Sequence, residues 1–215
     1  MTEHSERERL EEGARQLGLD LAPAQVDRLL AYLDQLERWN RAHNLTAIRD
    51  RGSMVTHHLL DSLSIVAPLA LQRPAGGRLL DVGSGGGLPG AVIAIAAPQW
   101  HVTCLDAVAK KAAFVRQAAG ALGLANLESM HGRIEAVKTP HFDVVASRAF
   151  ASLTDFVTLS ADALTPNGVW LAMKGQKPSA EIAALPATVE VFHVEPLRVP
   201  GLEADRCAVW MRPRR

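Results

Sequence analysis

Residues 79–90 combine a carboxylate with a dense run of glycines. Asp81 ends an apolar stretch, and five of the eight residues from 83 to 90 are glycine. Glycine tolerates positive φ and leaves the main chain bare enough for a ligand to lie against it. Residues 91–97 are apolar and predict a buried helix, whose first N–H groups have no partner inside the helix. The stretch therefore predicts a strand, a turn and a helix that hold a nucleotide-like ligand.

The carboxylate of Asp81 helps to decide which nucleotide fits. A pyrophosphate beside a carboxylate is repelled, whereas S-adenosylmethionine carries a sulfonium and an ammonium group that are attracted. The order acid-x-Gly-x-Gly-x-Gly, here Asp81, Gly83, Gly85 and Gly87, is typical of methyltransferases that use this methyl donor. Gly85, Gly87 and Gly90 also satisfy G-x-G-x-x-G, so an NAD-binding turn stays open as an alternative.

Two more loops are predicted to complete the pocket. Asp106 ends the next apolar stretch, about twenty residues beyond the turn, where doubly wound folds place an acid that binds ribose hydroxyls. The alternative for Asp106 is a helix N-cap, and the two roles are compatible. Ile134 and Glu135 follow the third predicted strand, beside the expected adenine, where Ile134 would pack on the ring. An ordinary first helical turn is the alternative there.

Arg148 leaves the fourth predicted strand at the position where such folds carry catalytic groups. Its guanidinium offers a fixed fork of donors to a carboxylate or a phosphate. We expect it to hold the donor carboxylate, an RNA phosphate or a neighbouring acid. Lys110 and Lys111, after the second strand, and Arg206, near the end of the chain, are candidates for RNA phosphates.

The residues around Arg148 also indicate the acceptor. The strand exit reads Ser-Arg-Ala-Phe from Ser147 to Phe150, without the Asn-Pro-Pro-Tyr-like run that serves exocyclic amines and without a Pro-Cys pair for attack on a pyrimidine. An acceptor with its own lone pair needs no base to remove a proton. Guanine N7 is such an acceptor, and catalysis would then be alignment and electrostatic stabilisation.

The elements that must position these residues alternate from residue 78 onward, which predicts an α/β fold with a mostly parallel sheet. Residues 1–72 are predicted to form a helical N-terminal extension, and 73–215 the main domain in one compact unit, joined near 74–77. An Asn167-Gly168 turn is expected before the fifth strand, and the last two strands form an antiparallel pair. The predicted strands are 78–82, 101–106, 126–130, 142–147, 168–174, 188–199 and 206–212. The predicted helices after the joint are 88–97, 108–122, 133–137, 152–164 and 179–184, and a helix is also expected over 54–68.

Composition narrows the class of protein. The 215 residues carry 23 basic and 23 acidic side chains, but residues 1–40 have a net charge of −4 and the remainder +4. This balance permits a nucleic-acid binder with a local basic face. Cys104 and Cys207 are expected in the core of a cytoplasmic protein, not in a disulfide or a metal site. No apolar run appears long enough to span a bilayer, and nothing suggests an obligate dimer.

The ordered combination of short motifs resembles the bacterial small-subunit ribosomal RNA methyltransferase G family, also called glucose-inhibited division protein B. The resemblance covers about residues 28–212. Two positions depart from the family's usual Asp-Ser and Lys-Arg, namely Ala107 and Lys111. The motifs are Trp39-Asn40, Asn44-Leu45-Thr46, His58-Leu59-Leu60-Asp61-Ser62, Asp81 to Gly90, Ser147-Arg148-Ala149-Phe150 and Lys174-Gly175-Gln176.

The resemblance implies a class I methyltransferase fold, with S-adenosylmethionine as the cofactor. It implies methylation of N7 of one guanine in the decoding-region loop of 16S ribosomal RNA, so the partner would be this RNA or the small ribosomal subunit. Matched by position, donor contacts fall on Gly83, Leu88, Ile134, Glu135 and Arg148. An NAD-dependent oxidoreductase and a non-catalytic rRNA-binding assembly factor remain the alternatives.

Overall fold

The computed structural model describes residues 3–139 and 141–214, and its centre is a seven-stranded sheet. The strands are β1 Gly77–Val82, β2 Trp100–Asp106, β3 Leu127–His131, β4 Phe142–Ser147, β5 Leu164–Lys174, β6 Val189–Pro196 and β7 Cys207–Pro213. Their order in the sheet is β3-β2-β1-β4-β5-β7-β6. The first five strands are mutually parallel, whereas β7 runs antiparallel to both of its neighbours. The predicted parallel sheet with an antiparallel C-terminal pair is confirmed.

Both faces of the sheet are covered, as the near-continuous apolar strands require. Successive side chains of a strand point to opposite faces. Leu79 of β1 accordingly belongs to one buried apolar cluster and Leu80 to the other. The predicted core positions of Cys104 and Cys207 are confirmed, since both are buried free thiols.

The helices flank the two faces of the sheet. In addition, 3-10 turns occupy Ile134–Ala136 and Ala161–Ala163, where α-helical residues were predicted. Ser152 caps the helix Leu153–Ser160 by accepting the N–H of Asp155 at 3.0 Å. The α-helices are α1 Glu3–Gln16, α2 Pro23–His43, α3 Arg51–Met54, α4 Asp61–Leu63, α5 Val66–Gln72, α6 Gly90–Ala96, α7 Ala109–Ala121, α8 Leu153–Ser160 and α9 Ser179–Ala183.

The predicted helix at 54–68 is longer than expected and irregular. It runs over Arg51–Gln72 and contains a π-helical segment, Val55–Leu60. Contrary to the sequence analysis, this helix is long and apolar enough to cross a membrane by length and composition. However, 72% of its apolar window is buried within the protein. That burial is typical of a core helix.

The fifth strand differs from its prediction at its start. Asn167-Gly168 was expected as the turn before the strand, yet β5 already begins at Leu164. The register jumps from Phe142 opposite Leu164 to Val144 opposite Val169, so the dipeptide lies within an irregularity of the strand. The turn-forming residues therefore bulge the strand instead of preceding it.

The N-terminal helices share a core with the sheet. Leu10 of α1 and Leu33 and Leu36 of α2 belong to the same buried cluster as Leu79 of β1. At the joint, Gly77 takes a φ of +150°, where a Cβ would lie 2.7 Å from a carboxylate oxygen of Asp143. The helical extension thus packs as part of the main body.

Candidate functional site

The glycine turn is tied to the end of β2 by its own backbone. The N–H groups of Gly83 and Ser84 both donate to the carbonyl of Leu105, at 2.8 and 3.1 Å. The N–H of Gly85 donates to Oδ2 of Asp106 at 2.9 Å. Three successive backbone donors are therefore already used inside the protein, which leaves fewer of them for an anionic ligand.

The close approach of α2 explains two of the glycines. Gly87 has a φ of +74°, and a Cβ there would lie 2.6 Å from the Tyr32 hydroxyl and 2.9 Å from Val115. A Cβ on Gly86 would lie 2.9 Å from Leu36. The buried Tyr32 hydroxyl donates to the carbonyl of Gly86. Helix α2 is thereby fastened to the turn.

Asp81 lies beneath the turn and is fully buried. Its Oδ2 accepts the N–H of Gly90 at 2.8 Å, while its Oδ1 is buried without a partner among the described residues. Burial raises the pKa of Asp81 to about 7, against the opposing effects of the Gly90 hydrogen bond and the charge of Arg148. The orphaned oxygen suits a cationic ligand, although Asp81 lines none of the cavities described below.

The first cavity, called here the Asp106 cavity, has a volume of about 290 Å³ and a largely apolar wall. Asp106 accepts the N–H of Val108 at Oδ1 and that of Gly85 at Oδ2. Because Val108 is the N-cap of α7, Asp106 does not occupy the cap position that was its alternative role. The lining residues are Val82, Gly83, Leu105, Asp106, Ala107, Gly132, Arg133, Ile134, Glu135, Ala149, Phe150 and Leu159.

The second cavity, the glycine-turn cavity, measures about 150 Å³ and shares Gly83 and Ala149 with the first. A Cβ on Gly85 would meet nothing within 4 Å, so the turn leaves open space there. Together the two cavities form an elongated pocket that fits an adenosine with a charged tail, such as S-adenosylmethionine. The second cavity is lined by Leu36, Leu45, Thr46, His58, Gly83, Ser84, Gly85, Gly86, Leu88, Arg148 and Ala149.

Arg148 is bonded to an acid that the sequence analysis did not assign. Its Nη1 donates to Oδ2 of Asp61 at 2.8 Å and to the carbonyl of His57 at 3.4 Å. Oδ1 of the same carboxylate accepts from Nε of Arg206 at 2.8 Å. Asp61 is 2% exposed, so one buried carboxylate joins two arginines that are 87 and 145 residues away in sequence.

His58 stands next to this ion-pair group. Its Nε2 forms a hydrogen bond with Oγ1 of Thr46 at 2.9 Å, and its Nδ1 is buried without a partner among the described residues. Burial, and secondarily the charge of Arg148, lowers the pKa of His58 to about 4. The imidazole is therefore neutral at pH 7. The sequence signal for His58 and Asp61 is their place in the motif from His58 to Ser62 that carries the family resemblance.

A third cavity, the basic cavity, has a volume of about 330 Å³ and lies at the carboxyl ends of β4 and β5. It shares His58 and Arg148 with the glycine-turn cavity. Lys174 on its wall donates to Glu181 at 2.8 Å and to the carbonyl of Phe150 at 3.2 Å. The lining residues are Ile48, His57, His58, Asp61, Arg148, Met173, Lys174, Gly175 and Arg206.

The structure brings most of the predicted site residues to these cavities, but not all. Lys110 and Lys111 lie in the first turn of α7 and line none of the three. The residues predicted for a donor that do line a cavity are Gly83, Gly85, Leu88, Asp106, Ile134, Glu135 and Arg148, and Arg206 lines the basic cavity.

Comparison with known families identifies close relatives. Residues 25–209 match the model of the family described as rRNA small subunit methyltransferase G, GidB. The ribosomal RNA small subunit methyltransferase G of Acidovorax sp. (strain JS42) is 59% identical, covering 95% of this chain and 94% of the relative. That of Methylibium petroleiphilum (strain ATCC BAA-1232 / LMG 22953 / PM1) is 57% identical, covering 94% and 92%.

Solved structures of low sequence identity share the fold. A TehB-like S-adenosylmethionine-dependent methyltransferase from Corynebacterium glutamicum superposes with a TM-score of 0.56 at 14% identity, covering 86% of this chain and 99% of that one. The mitomycin 7-O-methyltransferase superposes with a TM-score of 0.60 at 18% identity, covering 90% and 69%. The sheet order and these neighbours establish a class I methyltransferase fold.

Proposed function

The chain belongs to the ribosomal RNA small subunit methyltransferase G family, and we propose that it transfers a methyl group from S-adenosylmethionine to N7 of one guanine in the decoding-region loop of 16S rRNA. The observation that carries this proposal is the elongated pocket across the glycine turn, which meets the basic cavity at Arg148 and His58. Donor and acceptor would thus meet at the exit of β4.

The donor would have its adenosine end in the Asp106 cavity. Asp106 would bind the ribose hydroxyls with the lone pairs that its two backbone bonds leave free, and Ile134 and Glu135 would flank the adenine. Gly83, Gly85 and Leu88 line the space for the methionine end. The ionised form of Asp81, buried below the turn, stabilises the cationic ligand. When bound, S-adenosylmethionine supplies a methyl group on a sulfonium sulfur, which keeps the bonding electrons when the methyl group leaves.

The same contacts argue against a dinucleotide. A pyrophosphate on a glycine turn is held by backbone N–H groups. Here the N–H groups of Gly83, Ser84 and Gly85 are bonded to Leu105 and Asp106. The carboxylates of Asp81 and Asp106 would also repel it. A sulfonium with an ammonium group meets neither obstacle.

The chain's own residues need only align the reacting groups. Guanine N7 carries a lone pair and no proton, so no general base is required, and His58 remains neutral. Arg148 lies where the donor and acceptor spaces meet, with one guanidinium nitrogen fixed by Asp61. Its remaining N–H groups can then contact the reacting partners without moving.

The wider setting follows from the substrate. We propose that the protein acts as a monomer in the cytoplasm, without a membrane, on 16S rRNA or the small ribosomal subunit. Lys110, Lys111 and Arg206 contact RNA phosphates around the site. The two lysines would serve a part of the RNA outside the cavities.

The test is methylation of 16S rRNA from a strain that lacks the gene. New 7-methylguanosine should appear at one decoding-region position, mapped by aniline cleavage after borohydride reduction, and Arg148→Ala should abolish it. Binding of NADH and not of S-adenosylmethionine in a fluorescence titration would overturn the proposal. Tight rRNA binding without methyl transfer would instead favour a non-catalytic assembly factor.

A further inference from the structure

The basic cavity adjoins the glycine-turn cavity. It shares His58 and Arg148 with the glycine-turn cavity, so a group bound in it lies next to the methionine end of the proposed donor. Its volume of about 330 Å³ falls within the range of small-molecule sites. The position and size suit one nucleotide of a larger substrate.

The charge of the cavity wall favours an anion. Arg148, Lys174 and Arg206 are cationic, whereas the only carboxylate among its described lining residues is Asp61, which is already bonded to both arginines. His58 adds no charge at neutral pH. The lining residues therefore have a net charge of about +2, which Glu181, bonded to Lys174 from outside the lining, reduces to about +1. The low exposure of the charged groups strengthens their attraction to a phosphate.

The contacts of Arg206 leave a donor available. Arg206 uses Nε for Asp61 and Nη1 for the carbonyl of Asp205, and its Nη2 has no hydrogen-bond partner among the described residues. The ammonium group of Lys174 contacts both carboxylate oxygens of Glu181 and the carbonyl of Phe150, so a phosphate in the cavity would share or replace these contacts. Its side chain is only 15% exposed, so its charge is held in place at the cavity.

The remaining wall can receive the flat face of a base. Ile48 and Met173 supply apolar surface, and methionine adapts its shape to an aromatic partner. The π-helical segment Val55–Leu60 brings His57 and His58 to the same wall, and π segments are frequent at functional sites. Nδ1 of His58, which is buried and has no partner among the described residues, adds a polar group to this wall.

We propose that the basic cavity is the acceptor site, which receives one purine nucleotide of the RNA unstacked from its neighbours. Lys174 and Arg206 contact its phosphates, and Ile48 and Met173 pack on the base. An enzyme that modifies a base commonly takes it out of the stack, since the reacting atom is otherwise hard to reach. This inference rests on the proposed function, because it names where that function holds its acceptor.

The test compares two pairs of matched variants. Lys174→Ala is paired with Lys138→Ala, because each lysine forms an ion pair with a carboxylate, Glu181 and Asp162 respectively. Arg206→Ala is paired with Arg212→Ala, because each arginine donates Nε to a carboxylate at 2.8 to 2.9 Å. Thermal unfolding by circular dichroism confirms that each variant is folded.

Three quantities are measured for every variant: binding of an rRNA fragment as a function of salt, S-adenosylmethionine affinity by calorimetry, and single-turnover methyl transfer. The cavity variants should lose about tenfold in rRNA affinity and lower the slope of log K against log salt by about 0.7 per lost contact. Their S-adenosylmethionine affinity should stay within about twofold of the wild type. The paired controls should match the wild type in all three.

A crosslink tests the base contact without any methyl transfer. An rRNA fragment with 6-thioguanosine at the mapped acceptor, irradiated with the protein, should crosslink to peptides that contain Ile48, His58 or Met173. Crosslinks elsewhere, equal RNA losses in cavity variants and controls, or a loss of donor binding with RNA binding intact would overturn the inference. Absence of methyl transfer by the wild type would sink the proposed function, while the salt slopes of the cavity variants and their controls would still show whether the cavity binds RNA.

Discussion

Asp81 is the residue whose environment differs most from that of an aspartate in water. It is fully buried, one oxygen bonds to Gly90, and the other has no partner among the described residues. A charge in that position is costly unless a cation compensates it. Its pKa of about 7 means that the charge is only partly developed near neutrality. The ligand that the turn accepts therefore depends on the protonation of this one group.

The first prediction concerns donor affinity and pH. If the ionised form of Asp81 binds the cationic donor, the affinity for S-adenosylmethionine should rise roughly tenfold between pH 6 and pH 8, as the ionised fraction rises through a pKa of about 7. Asp81→Asn should bind more weakly and lose this rise. Calorimetric titrations across the pH range measure both proteins, and titration of the donor itself cancels between them. An equal change of donor affinity with pH in the two proteins would show that the charge of Asp81 does not contribute to donor binding.

The raised pKa of Asp81 has opposite effects on donor affinity and on folding stability as pH rises. The pKa of Asp81 is raised in the folded state, so its contribution to stability is fully present below about pH 4 and is lost as pH rises through about 7. The free energy of unfolding of Asp81→Asn should therefore increase relative to that of the wild type as pH rises, by up to about 1.4 kcal/mol per pH unit in that window. Urea unfolding at pH 5 and pH 8 measures the difference. A variant whose free energy of unfolding decreases relative to that of the wild type between pH 5 and pH 8 would contradict this prediction.

The glycines of the turn also make separable predictions. Gly87→Ala should lose about 3 kcal/mol, because positive φ is strained and the Cβ would overlap Tyr32 and Val115. Gly85→Ala keeps only the strain and should lose about 1–2 kcal/mol, since nothing lies within 4 Å of its Cβ. Gly120→Ala, in open space on α7, should gain up to about 1 kcal/mol. Equal losses for Gly87 and Gly85 in urea unfolding would show that α2 does not press on the turn.

At the scale of elements, Asp61 connects three pieces of the chain. It begins α4 and bonds to Arg148 at the exit of β4 and to Arg206 just before β7. A buried acid that loses its charge leaves both guanidinium groups without compensation. The relative position of the helix and the two strand ends thus depends on one carboxylate.

Asp61→Asn should therefore destabilise the protein even though it changes few atoms. An amide has one oxygen, so its NH₂ group would face the second arginine, donor against donor. We expect a loss of about 2–4 kcal/mol, below the full cost of breaking a buried pair because the arginines are 26% and 30% exposed. Asp162→Asn, which removes the exposed ion pair with Lys138, should change stability by about 0.5 kcal/mol or less. Similar losses for the two variants in urea unfolding would argue against the connection.

The elements themselves were largely predictable from sequence, but their long-range contacts were not. The apolar runs around Leu79 and Val144 predicted strands because burial on both faces leaves a local pattern. The Asn167-Gly168 pair has the same local pattern whether it precedes a strand or bulges it, so the start of β5 was placed wrongly. The bond from Asp61 to Arg206 spans 145 residues and has no local signature. The basic cavity, built on that bond, could only be found from the fold.

At the scale of the whole molecule, the helical extension and the sheet share one core. Leu33 and Leu36 of α2 pack in the cluster that contains Leu79, and Tyr32 bonds to the glycine turn. Separate unfolding of residues 1–72 would expose this surface and break the wall of the glycine-turn cavity, to which Leu36 and His58 contribute. The extension and the main domain are therefore expected to lose structure together.

The last prediction is a single cooperative transition. Trp39 lies on α2 and reports on the extension. The three other tryptophans, Trp100, Trp170 and Trp210, are buried on strands and report on the sheet. The difference in fluorescence between the wild type and Trp39→Phe isolates the first signal, and the variant's own fluorescence gives the second. In urea, both should change at the same midpoint as far-UV circular dichroism, because domains that share a core unfold as one unit. An earlier midpoint for Trp39 would mean that the N-terminal helices detach first, and that the donor pocket can lose one wall while the sheet remains folded.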